Sequence, residues 1–211
     1  MSQKRDAAIV GIHEYPTRDV EGEVSPLQIK AESAARALED AGLNWSDVDA
    51  IYDAGDGGGM SGLNIAEYFG LNPTVIDTTG VGGSSYEYHA AHAKRDIAAG
   101  KAKVALLTYG STAHSNAFAI GVGARRGASM HPAENMDNFA GQTLVSNYAM
   151  VAQRHMYQYG TTSEQLAEIS IATRLHAMRN PEAVQAMEDL EFLDIRETTI
   201  DDVVNSRMIA D

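Results

Sequence analysis

Short apolar, β-branched runs recur at Ala8 to Ile12, Val48 to Tyr52, Thr74 to Asp77 and Val104 to Tyr109, each bounded by glycine, proline or polar turn residues. That pattern predicts buried strands. Between them the period lengthens. Leu27, Ala31, Ala34, Leu38 and Ala41 fall on one helical face, with Ser25 placed to cap the helix, Pro26 suited to its first position and Gly42 to end it. A glycine-rich loop from Asp53 to Gly62 leads into a short helix ending near Gly70. An alanine-rich helix runs from about Ser84 to Ala99 and stops at Gly100. Strands alternating with helices over the first 110 residues predict an α/β sheet covered by helices on its faces.

From Gly110 the chain turns polar and rich in small residues, with no clear strand before a long helix near Gln142 to Tyr159. Thr162 and Gln165 have capping-box spacing. The helix they start is expected to bury Leu166, Ile169, Thr173 and Ala177 and to stop at Asn180-Pro181, and Thr199 to Asp202 is placed to cap a last short helix carrying Val203, Val204 and Met208.

Composition narrows the chemistry. A formal charge of −13 with only isolated basic pairs, at Lys4-Arg5, Lys94-Arg95 and Arg125-Arg126, disfavours nucleic acid, whose phosphates require clustered cations. No apolar run approaches the roughly 20 residues that cross a bilayer. The polar start and short first apolar run do not make a signal peptide, so a cytoplasmic chain is expected. There is no cysteine among the 211 residues, which removes disulfides, thiolate metal sites and any thiol nucleophile from this chain.

The turn Thr78-Thr79-Gly80-Val81-Gly82-Gly83-Ser84-Ser85 leads into the alanine-rich helix. Glycines there let backbone amides converge at a helix N-terminus, where an oxyanion is favoured. The plain alternative is a tight turn whose glycines only allow close packing. The stretch lacks the third glycine of a dinucleotide fingerprint and the Gly-x-Ser-x-Gly of a hydrolase elbow. His89 and His92, three apart on one helix, lack an obvious third ligand, so no metal is expected and both are left outside the site. His114 follows the fourth strand, at an end of the sheet where open α/β proteins bind ligands.

Four stretches resemble the thiolase superfamily, especially its sterol-carrier-type branch: AAIVGIHEYPTR, GGSSYEYHAAHAKRDIAAGKAKVALLTYGS, RHMYQYGTTSEQLAEISIATRLHAMRNPEA and SRMIAD. The resemblance implies a thiolase-like layered α/β sheet with helices on both faces. It covers the N-terminal half only, over residues 1–110, with a mainly helical loop-domain insertion and linker over 111–211. Counting back from Ile97-Ala98-Ala99-Gly100, the position of the family's nucleophilic cysteine falls on Gly83, which cannot attack a thioester. The resemblance therefore implies a coenzyme A thioester as substrate, no bound cofactor, and a pocket wall built from Gly82, Gly83, Ser84 and Ser85. Ser84 and His114 are the candidates for a catalytic role, while hydrogen-bonding or capping roles suit both serines better.

Superfamily members without the cysteine include aldolases that shorten steroid side chains with an OB-fold partner. Retro-aldol carbon–carbon cleavage in lipid or steroid breakdown is therefore the expected reaction, with acid–base groups supplied by a second half, in this chain or another. A noncatalytic acyl-CoA-binding or scaffold subunit and a truncated acyl-CoA acyltransferase are the alternatives. Thiolase relatives pair across the third strand, so the resemblance also implies a homodimer through Thr74 to Asp77.

Overall fold

The computed structural model describes residues 7–17, 20, 24–54, 61–113, 115, 144–192 and 194–209. Packing divides the chain into two compact units, 1–115 and 116–211.

The first unit is built on a three-stranded parallel sheet of β1 (Ala50–Tyr52), β2 (Val75–Asp77) and β3 (Ala105–Leu107). The order is β2-β1-β3, with Ile51 level with Ile76 and Leu106. As the middle strand, β1 is buried throughout, and strand alternation sends its side chains into two cores. On one face Ile51 and Leu106 pack with Ala34 and Leu38 of α1 (Pro26–Ala41) and Ile65 and Ala66 of α2 (Ser61–Phe69). On the other, Ala50 and Tyr52 pack with Ala93 of α3 (Ser85–Ala98). Helices thus cover both faces, as the alternation predicts.

Helix α1 starts and stops where its signals lie. The Ser25 hydroxyl accepts the Gln28 amide, Pro26 is the first helical residue, and Gly42 takes the left-handed conformation at φ 67°. Gly110 after β3 is required by space: a Cβ there would come within 2.6 Å of the Pro26 carbonyl oxygen and 2.8 Å of Lys30 Cγ.

The expected first strand is not a strand. Residues 7–15 carry no regular structure, and Ile9, Val10 and Ile12 are 86%, 61% and 74% exposed. This segment lies against α1 instead. The Ile12 amide donates to Asp40 Oδ2 at 3.0 Å, and Gly11 sits so close to Ala37 that a Cβ would overlap its carbonyl oxygen. β-Branched composition favours extended backbone but supplies no ladder partner.

The second unit contains α4 (Leu144–Tyr159), α5 (Ser163–Met178), α6 (Pro181–Asp189) and α7 (Ile200–Val204). The capping boxes at Thr162/Gln165 and Thr199/Asp202 both form. Asn180-Pro181 ends α5, and it also begins α6: the Asn180 side chain accepts the Glu182 amide and Pro181 is the first helical residue. The expected buried stripe of α5 is covered at its two ends only. Leu166 and Ala177 are partly buried as expected, but Ile169 is 67% exposed and Thr173 is exposed, while Ala167 is buried with Ile171, Leu175 and Met178 partly so. That face meets α6 and α7. Arg174 secures it by donating to the carbonyls of Asp194 and Arg196 at 2.9 and 3.4 Å. Val203 of α7 is partly buried, but Val204 and Met208 are exposed. No described helix is long and apolar enough to cross a membrane.

Candidate functional site

The site begins at the C-terminal end of β2. Asp77 closes the strand and its carboxylate becomes a hub: Oδ1 accepts the Thr79 amide at 2.9 Å and the Thr79 hydroxyl at 2.7 Å, and Oδ2 meets His92 Nδ1 at 2.6 Å. Desolvation raises the Asp77 carboxyl, but the Thr79 hydroxyl and amide and then His92 outweigh it and hold its pKa at about 2. The carboxylate is therefore ionised at neutral pH, and His92 donates to it.

Beyond Thr79 the chain turns through Gly82, in the left-handed region at φ 78°, into α3. Ser84 occupies the N-cap position without a side-chain cap hydrogen bond and is exposed. Ser85 is fully buried; its hydroxyl accepts the Val81 amide at 2.9 Å and donates to the Gly82 carbonyl at 2.6 Å. The two serines therefore differ. Ser85 holds the turn from inside, and Ser84 stands exposed in front of the helix.

Gly82 and Gly83 are exposed beside Ser84. A Cβ on Gly83 would meet no atom within 4 Å, so close packing does not require glycine there. Gly82, Gly83, Ser84 and Ser85 are contiguous at the helix start, whereas His114 lies outside the described residues. His89 and His92, set apart from the site on sequence grounds, both attach to its approach: His89 Nε2 bonds the Thr79 carbonyl at 3.0 Å. The two rings serve different partners, and among the described residues no group of three His, Asp or Glu side chains is placed to hold a metal ion.

Beneath the turn, Tyr52 donates to Asp96 Oδ2 at 3.1 Å. Burial, and then the adjoining Asp96, push the phenol well above its ordinary value, so Tyr52 stays protonated and neutral. Arg95, offset by desolvation and helped by Tyr52, lowers Asp96. At the neighbouring strand end, Lys30 Nζ lies 2.7 Å from Asp53 Oδ2, which also accepts the Thr108 hydroxyl at 2.9 Å. An open groove of about 600 Å³ runs along the free edge of β2, lined by residues 74–79 with Arg95, Asp96 and Lys101.

No family model matches the sequence. Individual proteins do. The chain is 32% identical over 221 residues to an acetyl-CoA acetyltransferase of Methanothermobacter thermautotrophicus, covering 98% of this chain and 52% of that protein. It is 29% identical over 210 residues to a steroid side-chain-cleaving aldolase of Thermomonospora curvata, covering 97% and 51%. Among solved structures it superposes on a chain of an Ltp2-ChsH2(DUF35) aldolase with TM-score 0.73 and 28% identity, over 96% of this chain and 49% of that one. The chain is thiolase-like. It spans about half the length of the curated relatives it matches.

In this thiolase-like chain the electrostatics of the turn have a testable acid limb. The folded pKa of Asp77, about 2, lies below the ordinary 3.8. The stability it contributes is therefore complete above about pH 4 and is lost as pH falls through about 2. Asp77→Asn should flatten the urea midpoint between pH 4 and pH 2 relative to the parent; an unchanged slope would assign that limb to other carboxylates.

Proposed function

We propose that this chain forms part of a thiolase-like enzyme acting on a coenzyme A thioester in lipid or steroid breakdown, by retro-aldol cleavage rather than cysteine-dependent acyl transfer. The observation that carries the reading is the glycine at position 83, where the family places its nucleophile, in a chain without any cysteine. Relatives named as aldolases support it.

In a retro-aldol step on a β-hydroxyacyl-CoA the hydroxyl proton leaves to a base and the Cα–Cβ bond breaks. A carbonyl compound departs, and the electron pair passes through the thioester enolate before Cα is protonated. Charge develops on the thioester oxygen, so donors fixed in advance are what this chain can contribute. We assign that role to the turn Gly82-Gly83-Ser84-Ser85 at the N-terminus of α3. With its hydroxyl already committed to Val81 and Gly82, Ser85 shapes the turn, leaving the exposed Ser84 hydroxyl and the adjoining backbone for the substrate. Residues 1–110 would act as the α/β half and 111–211 as the loop domain. The acid–base groups would come from sequence beyond these 211 residues, since the relatives are about twice as long.

The test is turnover of a β-hydroxyacyl-CoA by the chain supplied with the remaining thiolase-type sequence. Cleavage without consumption of free coenzyme A is expected. A requirement for free coenzyme A would mean thiolysis and overturn the reading, and binding without turnover would favour an acyl-CoA-binding subunit. Robust turnover by the 211 residues alone would sink the division of labour.

We further infer a homodimer through the exposed β2 edge, Thr74 to Asp77. Unpaired edge groups favour a covering strand. In an antiparallel pair the Asp77 end of one copy would approach the Thr74 end of the other, beside which the Lys101 backbone lies. Ile76, 37% exposed at the centre of that edge, should give a monomer when changed to lysine. Light scattering at micromolar concentration that shows a monomeric parent would refute the interface.

A further inference from the structure

Ser85, His89 and His92 follow one another at i, i+4 and i+7 along α3, the spacing of a single helical face. Each takes hold of a different point on the chain that leads out of β2. Ser85 binds the Val81 amide and the Gly82 carbonyl, His89 the Thr79 carbonyl, and His92 the Asp77 carboxylate that also fixes Thr79. The helix thus fastens its own entry loop at three levels, and His89 is the middle one.

Packing alone does not call for histidine there. The ring is fully buried, with the Tyr52 and Tyr86 rings at centroid distances of 6.1 and 5.9 Å, surroundings that an apolar ring would suit without any polar atom to desolvate. Instead, Nδ1 is buried and among the described residues has no hydrogen-bond partner, a burden that buried nitrogens seldom carry. What the imidazole gains over phenylalanine is the bond from Nε2. A carbonyl oxygen only accepts, so Nε2 carries the hydrogen of this bond.

We propose that His89 is a positioning residue: through the Thr79 carbonyl it sets the path of the 79–84 backbone and so presents the Gly83-Ser84 segment in front of α3. That this segment meets a thioester rests on the function proposed above; the hold of His89 on the turn does not.

Two measurements on the isotopically labelled full chain test it. In the parent at pH 7, imidazole nitrogen shifts should report the Nε2–H tautomer for His89; the Nδ1–H tautomer would overturn the proposal. In His89→Phe, amide hydrogen exchange at residues 79–85 should rise on the order of 10-fold, with α1 and β1 amides unchanged. His89→Gln, whose side-chain amide can replace the donor, should restore protection. Unchanged exchange at 79–85 in the phenylalanine variant, or no restoration by glutamine, would refute the role. Should the phenylalanine variant not fold, the tautomer and a comparison of glutamine with the shorter asparagine carry the same decision. An acyl-CoA titration then separates the two claims: a loosened turn with unchanged affinity would detach the turn from the thioester while leaving His89 as its anchor.

Discussion

Asp53→Asn or Lys30→Met should each destabilise the first unit by about 3–5 kcal/mol, the range for removing one partner of a buried ion pair. Lys30 and Asp53 are 3% and 0% exposed and 2.7 Å apart, with the Thr108 hydroxyl on the same carboxylate oxygen. Asparagine keeps the shape of Asp53 and takes the Asp53 charge away from the buried Lys30 ammonium. Methionine does the converse to the carboxylate. Because water is excluded, either single change should cost far more than an exposed pair such as Arg36–Glu39, which has 60% and 71% of its side chains exposed and falls in the range of about 0–1 kcal/mol.

The double variant Lys30→Met, Asp53→Leu should be more stable than either single one, since neither member of the pair then keeps a charge that has lost the other. The only tryptophan, Trp45, packs on Phe69 at 5.0 Å in the α1–α2 core, so its fluorescence in urea reports this unit specifically. Single-variant losses below about 1 kcal/mol would mean that water reaches the pair.

The location gives that pair a second consequence. Asp53 directly follows β1, and its amide donates to the Asp77 carbonyl at 3.0 Å. Lys30 thereby ties α1 to the strand ends from which the β2-to-α3 turn departs. Loss of the pair should loosen the end of β1 before the rest of the sheet.

Local signals in the sequence were the ones that could be read. Ser25-Pro26, Thr162 with Gln165, and Thr199 with Asp202 each have their hydrogen-bonding partner within three residues, so residue type and spacing suffice. Strand registers and buried faces depend on distant segments. The run Ala8 to Ile12 has strand composition and no described ladder, and Ile169 and Thr173 of the expected α5 stripe are exposed because α6 and α7 decide which side is covered. Asn180-Pro181 reads as a stop and equally as a start, since the residues that end one helix also suit the cap and first position of the next.

The glycine-serine turn was legible as a helix entry, but its supports were not. The partners of His89 and His92 lie 10 and 15 residues upstream, a separation that no short motif encodes. The available signal was the i, i+4, i+7 spacing with Ser85. A search for metal ligands considers the two histidines with each other and so passes over it.

Placing a thiol at position 83, where the resemblance puts the family's nucleophile, gives the other large effect, from no reactive sulfur to one at a defined position. Gly83→Cys should fold as the parent does, because a Cβ there meets nothing and the backbone is not left-handed. The new thiol would face the positive end of a 14-residue helix, which favours a thiolate. The internal control is Ala99→Cys, at the opposite end of the same helix and likewise exposed. With roughly 0.3–1 kcal/mol from each helix end, the thiol at 83 should titrate about 0.5–1.5 units below the one at 99.

Glu87 in the first turn and Arg95 in the last both act against that difference, whereas Asp96, paired with Arg95 and Lys101, acts with it. Thiolate absorbance against pH measures it, with no other cysteine to contribute. Salt near 1 M should shrink the gap if exposed charges carry part of it. Equal titration at the two ends would show that the turn exerts no field on an anion, and the oxyanion role assigned to it would lose its physical basis even if acyl-CoA binds nearby.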